Sequence, residues 1–276
     1  MNIEYLLLRF IRHNLSEKLV RTFLRNRFII KPGLETREPV KAVERYRTFL
    51  NEYSLSFTGK NVLIFGYGGS LGVAVELLRT GCAHVTVCDL FPPVDGHIND
   101  SLLPEYSQYL EINNDLVAPK SEWMTVYHGD IRKIPDSIRL GPFDLVISSS
   151  VYEHLDDVDG ITASLSRLLK PSGHFVAYID LRDHYFKYPF EMLCYSTKIW
   201  KYWLNPTSNL NRYRIWDYRN IFNRYFKDIQ INILERDLEH FNKVRNHIRQ
   251  EFKSGNDSQD SVVNIVVLAS GPCLKE

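Results

Sequence analysis

The chain has almost no net charge: 34 lysines and arginines stand against 33 aspartates and glutamates, a formal balance of +1. A general nucleic-acid binder carries a strongly basic footprint, so that class is excluded. Long apolar runs are missing too, and none approaches the roughly 18 residues of a membrane span. Arg9, Arg12 and Glu17 interrupt the N-terminal segment and no small-residue cleavage site follows, so a secretory leader is not expected. Cysteine is scarce. The four present (Cys82, Cys88, Cys194, Cys273) make no C-x-x-C pair, which argues against a zinc knuckle or a disulfide scaffold and fits a reduced, cytoplasmic setting.

Aromatic side chains, by contrast, are plentiful: 35 of 276 residues, 14 of them between positions 185 and 226. Before that stretch the chain alternates short β-branched runs with helical patterns. Asn61–Phe65, His84–Cys88, Met124–His128, Asp144–Ser148 and His174–Ile179 read as strands; 71–79 and 158–169 read as helices between them. Later runs near Ile229–Leu234 and Val262–Ala269 complete a seven-stranded set. This alternation predicts an α/β, Rossmann-like doubly wound fold with a mostly parallel sheet. Four regions are expected. They are an N-terminal helical cap (1–58), the core (59–184), an aromatic-rich insertion after strand five (185–226) and a C-terminal completion of the sheet (227–276). Residues 1–30 read as a basic amphipathic helix, of the kind that can lie on an anionic membrane. The preferred reading is a helix packed on the protein, roofing the cleft at the strand ends.

The first strand runs into Gly66-Tyr67-Gly68-Gly69-Ser70-Leu71-Gly72. Glycines there let the backbone turn sharply and approach a ligand closely. The dinucleotide pattern G-x-G-x-x-G would need glycine where Leu71 stands, and no Tyr-x-x-x-Lys pair follows, so an NAD-dependent oxidoreductase is disfavoured. Asp89 ends the second strand about 20 residues on, placed to accept hydrogen bonds from ribose hydroxyls. Asp130 and Ile131 end the third strand, placed against an adenine amino group and ring.

These pieces in this order resemble the class I S-adenosylmethionine-dependent methyltransferases over about residues 60–182. The more specific matches are Phe143–Leu155 (F-D-L-V-x-S-x-x-V-x-E-H-L) and Leu168–His174 (L-L-K-P-S-G-H). The resemblance implies S-adenosylmethionine as cofactor. Gly66, Tyr67, Gly68 and Gly69 would hold its methionine portion, Asp89 and Leu90 the ribose, Asp130 and Ile131 the adenine, with Ser148 beneath the methyl donor. The chain departs from the family at Ile64, where most members have an acid, and at Ser70, where they have glycine. A narrower likeness, in the glycine turn, Ile179–His184 and Asn211–Tyr218, is to bacterial methyltransferases found with surface-glycan biosynthesis.

The expected reaction is methyl transfer to an oxygen of a glycan, sugar or other small molecule. The alternatives are N-methylation and a non-catalytic S-adenosylmethionine-binding partner protein. His184 is the preferred general base and His154 the second candidate. Arg182, Tyr185, Arg212, Arg214 and Trp216 are expected to receive the acceptor, the arginines through bidentate forks on an anionic group. No metal is expected: Glu153, His154 and Asp157 read as an acidic helix start complementing the helix dipole.

Overall fold

The computed structural model describes residues 2–15, 33–184, 187–206 and 209–273. Among the described residues nine strands form: β1 (Asn61–Phe65), β2 (His84–Asp89), β3 (Leu110–Asn113), β4 (Leu116–Pro119), β5 (Met124–His128), β6 (Phe143–Ser149), β7 (Leu169–Asp180), β8 (Phe226–Arg236) and β9 (Val262–Pro272). Seven of them make one sheet in the order β5-β2-β1-β6-β7-β9-β8, while β3 and β4 pair as a separate hairpin. The five strands from β5 to β7 run parallel. β9 lies antiparallel between β7 and β8. The Rossmann-like expectation holds, with an antiparallel edge that the sequence pattern did not reveal.

Strand β1 shows how the sheet is held. Val62 and Ile64 point to one face and join α3 (Pro39–Glu52) and α4 (Gly72–Arg79); Leu63 and Phe65 point to the other and join α5 (Val158–Arg167) and α6 (Ile215–Tyr225). A strand covered on both faces must be apolar at every position, which is why NVLIF reads as a continuous run. Each such side chain contributes about 1.5–3 kcal/mol through burial. Helix α5 starts at Asp157, whose carboxylate accepts from the Gly160 amide at 2.8 Å.

Helix α6 falls inside the segment expected to be an acceptor cap. Ile215, Tyr218, Ile221 and Phe222 are buried at helical spacing against the sheet. The rest of the segment, 187–206 and 209–214, builds a third small core around Phe190, Met192, Leu193, Trp200, Leu204 and Leu210, shared with Phe241 of α7 (Leu238–Val244).

Helix α1 (Ile3–Asn14) packs on this third core, not over the glycine turn. Its Tyr5 and Arg9 are buried, and both bond the Asp183 carboxylate, Tyr5 Oη at 2.5 Å and Arg9 through Nε and Nη2. Arg9 also lies over the Trp200 ring at 4.9 Å. Residues 16–32, the remainder of the expected helix, lie outside the described residues. Among the described residues no helix is long and apolar enough to cross a membrane.

Candidate functional site

The chain runs outward from β1 to β2 and β5, then returns to the centre at β6. β1 and β6 are therefore neighbours at the point where strand order reverses, and a crevice must open beyond their C-terminal ends. A cleft of about 140 Å³ stands there. Gly66, Tyr67 and Gly68 line it after β1, Ser149 and Ser150 after β6, and Glu35 and Thr36 from α2 (Leu34–Arg37) and Tyr46 from α3 close its side. The N-terminal region thus does wall the cleft, but through residues 33–46 and not through α1.

The glycines are needed where they stand. Gly66 has φ +82, and a Cβ there would fall 2.2 Å from Val151 Cγ2. Gly68 has φ +64 and would meet nothing within 4 Å, so its bare backbone faces open space in the cleft. Asp89 reaches across from β2: its Oδ2 accepts from the Gly68 amide at 3.1 Å and its Oδ1 from Phe91 at 3.0 Å. Burial raises the Asp89 pKa, and the Phe91, Gly68 and Leu90 amides offset part of the rise. Tyr67 is buried against the cleft wall, Gly69 holds φ +83 beside Pro93, and Leu90 is exposed. Ser150 holds φ +54, an unusual backbone for serine, at the cleft edge.

Other expected residues sit differently. Ser148 is buried and donates to the Phe65 carbonyl at 3.0 Å, so its hydroxyl belongs to the sheet; Ser149 and Ser150 take the cleft position. A one-residue shift flips a strand side chain to the other face, which is the reason. Asp130 is bound by Arg132 through Nε, Nη2 and the backbone amide, and the pairing lowers its pKa. Ile131 is buried beside it. The sequence pointed to none of Glu35, Arg45 or Ser149, yet Arg45 binds Glu35 at 2.6 Å and Ser149 Oγ at 3.1 Å, behind the cleft. Only folding brings α2 and α3 to that strand end.

Arg212 and Arg214, expected to receive the acceptor, bond within the protein. Arg212 donates to the Met192 and Tyr195 carbonyls and Thr197 Oγ1, sandwiched by Trp200 and Phe252. Arg214 is fully buried and donates to the carbonyls of Leu181, Asp260 and Val262. Through these bonds, mostly to main-chain carbonyls, the two side chains clasp segments together. Arg182 pairs with Asp180 at 2.7 Å and Glu235 at 3.3 Å. Trp216 packs half-buried against the core of the sheet, and Tyr185 lies outside the described residues.

One turn beyond Ser150 the two candidate bases meet. The His154 and His184 rings stand 4.7 Å apart, edge to face. His154 Nδ1 lies 2.8 Å from the Asn209 carbonyl, so Nδ1 carries the proton and Nε2 the lone pair. The His184 pKa falls to about 3, first because protein atoms strip water from the ring, then through His154, Arg9, Arg182 and Arg12. Glu153 is buried between these histidines and the sheet, only 2% exposed.

Residues 65–177 match the protein family described as "Methyltransferase domain". No curated protein matches the sequence. Solved structures similar to this chain include Burkholderia thailandensis 1,6-didemethyltoxoflavin-N1-methyltransferase (12% identity, TM-score 0.49, covering 98% of this chain and 90% of that one). Haemonchus contortus phosphoethanolamine N-methyltransferase 2, in complex with S-adenosyl-L-methionine, is similar at 17% identity and TM-score 0.47, over 83% of this chain and 53% of that one. The CMeT domain of the citrinin polyketide synthase is similar at 13% identity and TM-score 0.49, over 86% of this chain and 55% of that one. This chain spans about half the length of the last two.

Proposed function

We propose that this S-adenosylmethionine-dependent methyltransferase methylates a hydroxyl oxygen of a sugar or other small-molecule acceptor. The observation that carries the reading is the gathering of Glu153, His154 and His184 one turn beyond the cleft, since a hydroxyl must lose its proton as it is methylated and an amine acceptor need not. Tyr67 and the Gly66–Gly69 backbone would hold the methionine portion of the cofactor, and Asp89, at the glycine turn, would hold its ribose. Open space at Gly68 and the Asp89 carboxylate beside it fit that role. Bound there, S-adenosylmethionine supplies a methyl group on a sulfonium, and the protein's task is to align the acceptor with it. The buried arginines of 212 and 214 remove the reason to expect an anionic acceptor.

The test is labelled methyl transfer to matched hydroxyl and amine acceptors. Label in an ether product is the expected result; label only in amines overturns the oxygen reading. His184→Ala should lower turnover about 100-fold or more while cofactor affinity stays within about a factor of three.

A further inference from the structure

We propose that the outward face of α1, with the helical segment 197–204 beside it, docks on a bilayer surface bearing anionic lipid. The inference goes beyond the methyl-transfer reading and does not depend on it.

Helix α1 is packed in the opposite sense from an ordinary surface helix, which turns its apolar stripe to the core. The side chains it buries are Tyr5 and Arg9, both on Asp183. Ile3, Leu7, Phe10 and Ile11, three and four residues apart, share the other face and stay in water, Ile3 at 74% and Leu7 at 60% exposure. The inversion has a local cause. The buried Asp183 carboxylate needs a cation and a donor, so the polar side of the helix turns inward and the apolar side faces out.

Residues 197–204 extend the patch. Trp200 and Leu204 are buried in the third core, while Ile199, Tyr202 and Trp203 are exposed, Trp203 at 58%. The Trp203 and Phe10 rings stack with centroids 6.4 Å apart, which makes the two elements one continuous surface. A contiguous exposed apolar patch of this kind marks an interaction site.

Charge and shape select a bilayer as the occupant. Lys198 and Lys201 are exposed on the same segment and make no ion pair among the described residues. The one acid of α1, Glu4, is taken by Lys187 and Tyr188. The first 31 residues hold seven basic side chains against two acidic. A second copy docked patch to patch would set like charges together, whereas anionic headgroups pair with them. Trp and Tyr, apolar in body with a polar edge, suit the headgroup boundary, and Ile, Leu and Phe the acyl chains beneath it. With 12 residues α1 is about 18 Å long, too short to cross a bilayer and suited to lie in its interface. His13 Nδ1 of α1 donates to the Asn205 carbonyl, Asn205 Nδ2 to Asn209 Oδ1, and His154 Nδ1 to the Asn209 carbonyl. The docked edge is thus joined to the histidine pair.

The test is co-sedimentation of the full chain with vesicles of phosphatidylcholine and phosphatidylglycerol in equal parts, and with phosphatidylcholine alone. At low salt the mixed vesicles should carry the protein down and the neutral ones less, and added salt should shrink the difference. Leu7→Ser with Phe10→Ser should lower affinity for the mixed vesicles about 10-fold or more, since both side chains leave water on docking. Lys198→Glu with Lys201→Glu should do the same on mixed vesicles and little on neutral ones. All four side chains are exposed, so both variants should keep the wild-type affinity for S-adenosylhomocysteine, which checks their folding. Should the serine variant lose it, the lysine variant carries the test. A wild type that stays in solution with mixed vesicles, or either folded variant sedimenting as well as wild type, overturns the proposal. Wild-type dimers that the serine variant separates, without vesicle binding, overturn it too and assign the patch to a second copy. Vesicle binding by a wild type that takes no S-adenosylhomocysteine leaves the docking surface standing and sinks the cofactor site.

Discussion

Gly68 and Asp89 work as one device: the missing Cβ opens the backbone to the cleft, and the carboxylate accepts from the Gly68 amide. Gly68→Val, at φ +64, would put a side chain into the cleft and add strain on the order of 1–3 kcal/mol. The expected outcome is loss of calorimetric S-adenosylmethionine binding. Asp89→Ala should weaken the same binding by about 1.5–3 kcal/mol, the scale of hydrogen bonds to a charged group; unchanged affinity would remove Asp89 from the site. Glu153 carries a pH signature. Its folded pKa lies above the unfolded value, so the native state binds more protons than the unfolded state above about pH 4.5. Its contribution to stability therefore falls as pH rises from there to the folded pKa. Glu153→Gln removes the titration, so the gain of the variant over the wild type in denaturant melts should grow from pH 5 to pH 8. A constant difference would mean the carboxyl is not buried and unpartnered.

Among the elements, α1 and α6 are each fastened by buried charge. Helix α1 is tied to the end of β7 through Arg9 and Tyr5 on Asp183. Breaking one side of such a pair leaves the other buried without its counter-charge, so Asp183→Asn should cost about 3–5 kcal/mol in urea unfolding. Helix α6 begins at Arg214, whose guanidinium joins the end of β7 to the start of β9. Arg214→Lys keeps the charge but cannot span three carbonyls, and should cost about 1.5–3 kcal/mol of stability. Acceptor KM should be unaffected. A selective rise in KM without loss of stability would restore Arg214 as an acceptor ligand.

At the scale of the whole molecule, ligand binding at the sheet's switch point should register as global stability. S-adenosylhomocysteine at 100 times its Kd should stabilise the protein by about 2.7 kcal/mol, and NAD by nothing. Stabilisation by NAD alone would contradict the methyltransferase reading. The seven main strands and the glycine turn were legible in the sequence because each is a local signal: β-branched runs, a strand-to-helix glycine turn, an acid at a strand end. α6 was hidden because Trp216, Tyr218, Phe222 and Tyr225 read as aromatic density, while the helical period through Ile215, Tyr218, Ile221 and Phe222 was not given weight. Side-chain roles that depend on partners far along the chain were beyond sequence. Arg214 meets carbonyls 33, 46 and 48 residues away, and His154 meets Asn209 55 residues away. Periodicity and turn chemistry thus determined the α/β sheet and its cofactor edge. Which arginines were already engaged within the protein, which serine faced the cleft, and that Glu153 met two histidines were decided by packing, because burial and partnership exist only once distant segments touch.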